Sequence, residues 1–277
     1  MQTAIITGAN SGIGKETARA LAQQGYRVIL ACRSQTKGQL ALAELQASYP
    51  TASLHLELVD LTSLKEIRDF ASRIKRGYDR LDVLVNNAGL FLNTFTETAE
   101  GIEQTFAVNH LGYFRLTLAL QDLLKANQSA RVVNVSSGAH FGVRKPPTDW
   151  QMRQKYVGFA AYSQSKFANV LFTYHLAQLW LHDGVTVNCL HPGVVATQFG
   201  LNNPQWYMQL AMNIASRFAL SAADGAATQI YLATSLEVAH VTGKYFDKRQ
   251  VRQSAALSYD TQLQQQLWDY SLSLGMP

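Results

Sequence analysis

Cysteine, proline, clustered histidine and long apolar runs are all scarce in this chain, and each scarcity removes a class of protein. Two cysteines occur in 277 residues, Cys32 and Cys189. They are far apart, so neither a disulfide framework nor a zinc spacing can be built from them. Both fall in expected strands, where buried free thiols are the natural reading. The seven histidines form no ligand-spaced group, and no metal site is expected. No apolar stretch approaches the roughly 20 residues that a membrane-spanning helix needs. Met1 runs straight into a strand, without a basic-then-apolar leader. A soluble cytoplasmic protein is therefore expected. Repeats, linkers and low-complexity segments are also missing, so residues 1–277 are expected to form one domain.

Charge is thin as well. Charged residues make up 16% and hydrophobic residues 47%, which suits a large buried core and argues against disorder. The formal net charge is +5. The densest basic run, Arg73, Lys75, Arg76 and Arg80, reads as a solvated helix end, and no nucleic-acid partner is expected. A mild positive field does favour an anionic cofactor.

What the chain does have is alternation. Apolar, β-branched runs at Thr3–Thr7, Tyr26–Ala31, Leu54–Val59, Leu81–Val85, Val132–Val135, Val185–Leu190 and Lys244–Phe246 read as seven strands. Helical patterns separate them, at 35–48, at 62–76 with Thr62 as N-cap, from Glu100 to Leu124, around Tyr162, near 221–236 and at 258–273. This order predicts an α/β fold: a doubly wound, mainly parallel sheet with helices on both faces.

Such sheets bind ligands at the C-terminal ends of their strands, and that edge is where the unusual residues gather. Gly8-Ala9-Asn10-Ser11-Gly12-Ile13-Gly14 lies between the first strand and a helix. Gly8 permits a tight turn, Gly12 lets backbone approach a pyrophosphate, and Gly14 lets helix and strand pack closely. The second strand ends at Arg33, with no acidic residue nearby and Lys37 following. A basic residue there suits a 2′-phosphate, so NADP(H) is expected rather than NAD. Asp60-Leu61 follows the third strand, Asn87-Ala88-Gly89 the fourth, Ser137 the fifth, and Pro192-Gly193 the sixth. Asn109 is polar inside an apolar helical pattern.

One further stretch carries chemistry. Tyr162 and Lys166 stand four residues apart, which on a helix places both side chains on one face. A free phenol has a pKa of about 10, and a fixed ammonium beside it favours the phenolate. A tuned tyrosine can exchange a proton with an alcohol or a carbonyl oxygen. Residues 199–220 hold Phe199, Trp206, Tyr207, Met208 and Leu210. This segment reads equally as a lid over an apolar substrate, as core packing or as a dimer surface, so a homo-oligomer stays open.

With these motifs in place, the chain resembles the short-chain dehydrogenase/reductase family from end to end. Ala31-Cys32-Arg33, His191-Pro192-Gly193-Val194-Val195 and Gly243-Lys244-Tyr245-Phe246 are similar to its retinol dehydrogenase-like branch. The resemblance implies a Rossmann domain. It implies an NADP(H)-dependent oxidoreductase acting between an alcohol and a carbonyl, and the residues point to an apolar substrate. It casts Tyr162 as general acid/base, and Lys166 as the group that lowers its pKa and holds the nicotinamide ribose. Ser137 would orient the substrate oxygen, and Asn109 would help hold a relay water. Asn10 to Gly14 would cradle the pyrophosphate, Asp60 and Leu61 flank the adenine, and Asn87 to Gly89 line the ribose region. Val195 and Thr197 would meet the nicotinamide amide. The competing reading is a non-catalytic NADP(H)-binding regulatory protein on the same scaffold.

Overall fold

The structure, a computed structural model, describes residues 1–193 and 220–277. Its centre is an eight-stranded sheet in the order β3-β2-β1-β4-β5-β6-β7-β8. The strands are β1 (Thr3–Thr7), β2 (Arg27–Cys32), β3 (Leu54–Leu58), β4 (Val83–Asn86), β5 (Arg131–Val135), β6 (Thr186–His191), β7 (Tyr245–Asp247) and β8 (Gln250–Arg252). All neighbours pair in parallel except β7 with β8. The sequence suggests seven strands; the eighth is a three-residue antiparallel edge, exposed along its length. It has no buried face, hence no periodicity to betray it.

The inner strands read as unbroken apolar runs because both faces are covered. Successive residues of β1 serve opposite cores. Ile5 joins Leu84, Val132, Phe70 and Phe167 on one face, while Ala4 and Ile6 join Val83, Val133, Leu21 and Leu45 on the other. Each of these valine, leucine, isoleucine and phenylalanine side chains, buried, contributes about 1.5–3 kcal/mol.

Helix α1 (Gly12–Gln23) and α2 (Gln35–Ser48) cover one face with the helix Ala222–Thr234. Helix α3 (Leu64–Gly77) covers the other, burying Ile67, Phe70, Ala71 and Ile74 at helical spacing. Its N-cap is Ser63, whose Oγ accepts from the Glu66 N–H, rather than Thr62. The hydroxyl and N–H of Thr62 are instead committed to Asp60 Oδ1. The expected helix from Glu100 to Leu124 is in fact composite. It comprises Gln104–Phe106, a π-helical turn at Ala107–Leu111, Gly112–Ala119 and, after a break at Leu120, Gln121–Lys125. The long helix Gly158–Leu179 and the C-terminal helix Thr261–Ser273 complete this face.

The strand order reverses between β1 and β4. The glycine turn after β1 and Asn87-Ala88-Gly89 after β4 therefore flank one crevice. Cys32 and Cys189 are buried free thiols in β2 and β6.

Candidate active site

The crevice is built from backbone first. Gly8 and Gly12 take φ values of +67° and +52°, which favour glycine. Gly14 faces Asn87 so closely that a Cβ would lie 2.5 Å from Asn87 Nδ2 and from the Gly8 carbonyl oxygen. Thr7 ties the two loops together. Its hydroxyl oxygen accepts from the N–H groups of Asn87 and Ala88 at 2.8 and 2.9 Å, and its carbonyl accepts from Asn87 Nδ2 at 2.9 Å. Ser11, the N-cap of α1, makes no side-chain capping bond. The first-turn N–H groups and the positive dipole end of α1 thus present an anion-binding face.

Around this cradle stand the other expected cofactor residues. Ala9 is buried, Asn10, Ser11 and Ile13 border the turn, and Arg33 is exposed at the end of β2. Asp60 closes a turn onto Thr62 and accepts nothing from solvent-facing cations among the described residues. Leu61 is buried, and a Cβ on Gly112 would lie 2.8 Å from its own Cβ. Pro192 and Gly193 follow β6, with Gly193 at φ +86°. Val195, Thr197 and the segment 199–219 lie outside the described residues.

The residues expected to carry the chemistry lie at the same edge. Ser137, just past β5, bears its hydroxyl toward the Tyr162 phenol, where it favours the phenolate. Lys166 is buried one turn beyond Tyr162, and its Nζ lies 5.9 Å from the Tyr162 ring centroid and 5.5 Å from that of Tyr113. Nζ donates to the Val135 carbonyl at 3.0 Å. A Cβ on Gly89 would lie 3.5 Å from this Nζ and 3.4 Å from Asn109 Oδ1. Gly89 thus leaves open the space that a side chain would fill beside the lysine and the asparagine.

Asn109 sits in the π-turn, fully buried. Its side chain is fixed to the loop after β4: Oδ1 accepts from Leu90 N–H at 2.8 Å, and Nδ2 donates to Leu90 O at 2.9 Å and Ser165 Oγ at 3.0 Å. The extra residue of a π-turn releases backbone groups from the helical ladder. The Asn109 carbonyl finds its partner in Asn169 Nδ2 at 2.8 Å.

Burial dominates the electrostatics. It pushes the Tyr162 phenol up to about 12, against a lowering by the Ser137 hydrogen bond. It pushes the Lys166 ammonium down to about 7. Desolvation is the largest cause for both groups, and Ser137 is the neighbour that draws Tyr162 back toward the phenolate.

Three contributors escape a reading of the sequence. Phe91 packs edge-on against Tyr162, with ring centroids 5.9 Å apart. Tyr113 donates its hydroxyl to Ala88 O at 2.7 Å and so steadies the loop after β4. Asn169 continues the Tyr162 and Lys166 face at the next helical position, and that 162, 166, 169 spacing is the signal that marks it. His140, by contrast, is fully buried and packed.

The chain is similar to known proteins along nearly its whole length. The short chain dehydrogenase family pattern matches residues 2–208. The chain is 40% identical to retinol dehydrogenase 13 of Homo sapiens, over 99% of this chain and 84% of the relative. It is 38% identical to retinol dehydrogenase 12 of Mus musculus, over 98% and 85%. An uncharacterised protein of Mycobacterium Paratuberculosis has a similar structure, with TM-score 0.78 and 31% identity over 99% of this chain and 93% of that one. A short chain dehydrogenase from Escherichia coli CFT073, solved with NADPH, gives TM-score 0.68 and 25% identity over 90% and 97%. Among the described residues no helix is long and apolar enough to cross a membrane.

Proposed function

The chain belongs to the short chain dehydrogenase family, and from that premise we propose that it is an NADP(H)-dependent oxidoreductase interconverting an apolar alcohol and its carbonyl. The observation that carries the reading is the meeting of Ser137, Tyr162 and Lys166 beside Gly89, at the mouth of the glycine cradle.

The residues fit a dinucleotide. Positive φ at Gly8 and Gly12, the closeness at Gly14 and the uncapped start of α1 suit a pyrophosphate on residues 10–14. The exposed Arg33 suits a 2′-phosphate, as does the NADPH in the Escherichia coli relative. Asp60 and Leu61 would border the adenine, Asn87 to Gly89 with Lys166 the nicotinamide ribose, and Pro192, Gly193, Val195 and Thr197 the nicotinamide. When bound, the cofactor supplies or accepts the hydride.

The chain's own groups then handle the proton. A phenol held up near 12 keeps its proton at neutral pH, so Tyr162 is set to donate it to a carbonyl oxygen. In the oxidative direction the same oxygen takes the proton back. The Ser137 hydroxyl, on the phenol's side, offers a hydrogen bond to that substrate oxygen and stabilises its developing charge. Lys166 and Asn109 are linked through the Val135 carbonyl and Asn169, and a water held beside them would pass the proton on. Phe91 gives the substrate side an apolar wall, in keeping with the retinol dehydrogenase relatives. The segment 199–220 is proposed as its lid.

Incubation with NADPH and NADH against a panel of aldehydes, ketones and alcohols, read by nicotinamide absorbance, tests the reading. NADPH-linked turnover of apolar aldehydes is expected. Tight NADPH binding with no turnover of any member would favour the regulatory alternative.

A further inference from the structure

Beyond β5 one peptide unit is gripped from both edges by histidines. The ladder between β5 and β6 ends where the Ser136 N–H donates to Leu190 O at 2.8 Å. The second peptide after it joins Ser137 to Gly138. Its carbonyl accepts from the His140 N–H at 3.1 Å and from His140 Nδ1 at 2.6 Å. Its N–H donates to His191 Nδ1 at 3.0 Å.

The partners assign the protons. A carbonyl only accepts, so His140 carries hydrogen on Nδ1, and its Nε2 accepts from the Ala255 N–H at 3.1 Å. His191 accepts at Nδ1, so its neutral ring carries hydrogen on Nε2. Both rings must be neutral to make this set of bonds. Burial favours that form in each, lowering His191 and bringing His140 to about 4. Asp247, paired with His191 across β6 and β7, opposes the effect without reversing it. Tyr245 and Phe141 pack against the His140 ring, with centroids 4.8 and 4.0 Å away.

We propose that His191 is a positioning residue for the reaction: it fixes the Ser137–Gly138 peptide, and through it the Ser137 hydroxyl that faces Tyr162, while His140 locks the opposite edge. The inference rests on the oxidoreductase reading and names a part that reading leaves unassigned. Ser137 has an extended backbone, φ −160° and ψ 155°, and ψ sets the tilt of the gripped peptide. The same tilt decides whether the Ala139 N–H still reaches Ser137 Oγ, now at 3.2 Å. Releasing the Gly138 N–H frees that torsion. A hydroxyl displaced by about 1 Å costs on the order of 100-fold in rate.

Asparagine and glutamine separate the roles of the two ring nitrogens. Asparagine at 191 places Oδ1 near the site of Nδ1; glutamine places its oxygen near Nε2. With NADPH and either nonanal or all-trans-retinaldehyde, His191→Gln is expected to lower kcat about 10- to 100-fold. The KM for NADPH should stay within about 3-fold, and His191→Asn should recover most of the turnover. In a Ser137→Ala background, His191→Gln should cost less than about 3-fold more, because its target is already gone. Equal losses from asparagine and glutamine, or an undiminished penalty in the Ser137→Ala background, would overturn the proposal. Should glutamine prevent folding, His191→Leu takes its place in the same cycle, with the thermal transition as the check. Loss of kcat in Ser137→Ala but not in His191→Gln sinks this inference alone. Full activity in Ser137→Ala, or no reduction of either aldehyde by the unaltered protein, sinks the underlying reading as well.

Discussion

Lys166 Nζ and the carbonyl oxygen of Val135, the last residue of β5, are joined at 3.0 Å. The same oxygen accepts from Asn169 Nδ2 at 3.2 Å. The lysine is therefore anchored to the sheet, and removing it leaves no orphaned carbonyl. Lys166→Met should retain the fold, since an apolar chain replaces a buried ammonium, yet lose about 100-fold or more in kcat. The stability comparison has a definite sign. Lys166 titrates near 7 in the fold against 10.5 when free, so its contribution is full above 10.5 and is lost as pH falls toward 7. The unaltered protein should gain thermal stability relative to Lys166→Met as pH rises from 7 to 10, measured by melting curves.

Tyr162→Phe removes the proton but keeps the ring against Phe91. Turnover should fall about 100- to 10,000-fold while the NADPH Kd, read by fluorescence, stays within about 2-fold. In the unaltered protein alcohol oxidation should climb with pH up to at least 10, because the base form of a phenol near 12 is scarce below that. Carbonyl reduction should not climb.

Gly14→Ala would drive a Cβ to 2.5 Å from two atoms of the facing loops. One of them is backbone, so the cradle itself must shift. A loss of about 1–3 kcal/mol in stability is expected, together with a weaker NADPH Kd by about 10-fold or more. Denaturant melts and a binding titration read the two effects.

Arg33 is exposed at the end of β2. Its guanidinium can clasp a phosphate bidentately. Arg33→Ala should raise the KM for NADPH about 10-fold, worth about 1.4 kcal/mol, and leave that for NADH nearly unchanged. Equal effects on both cofactors would remove the 2′-phosphate assignment.

Acid should unfold the protein through its buried imidazoles. Burial lowers His140 to about 4 and His110 to about 3, against 6.5 when free. Their stabilising contribution is present above 6.5 and drains away as pH falls. Two such groups predict a slope of about 2 kcal/mol per pH unit between 6 and 4, from about 1.4 for each proton taken up and fractional protonation at both ends of that range. Denaturant titrations across that range measure it.

The parts of the site that lie on one element were legible from the chain. Tyr162 and Lys166 share a helical face because four residues make about one turn, and Gly8 to Gly14 announce a strand-turn-helix by composition. What depends on partners from elsewhere was hidden. Nothing near His191 signals that its ring will meet Gly138, fifty-three residues away. The π-turn at Asn109 inserts a single residue into an otherwise continuous helical pattern, and only the finished packing shows where. The choice of Ser63 over Thr62 as a cap was settled by Asp60, which claims the threonine first.

Arg115 is 1% exposed, and its guanidinium reaches Glu100 on one side and the Leu274 carbonyl on the other. Gln151 reaches Tyr270, and His110 reaches Ser271, across the same seam. With Glu100 alone, one side of the desolvated Arg115 guanidinium would stand open; the segment around Leu274 acts as a stopper over a charge that the core could not otherwise hold.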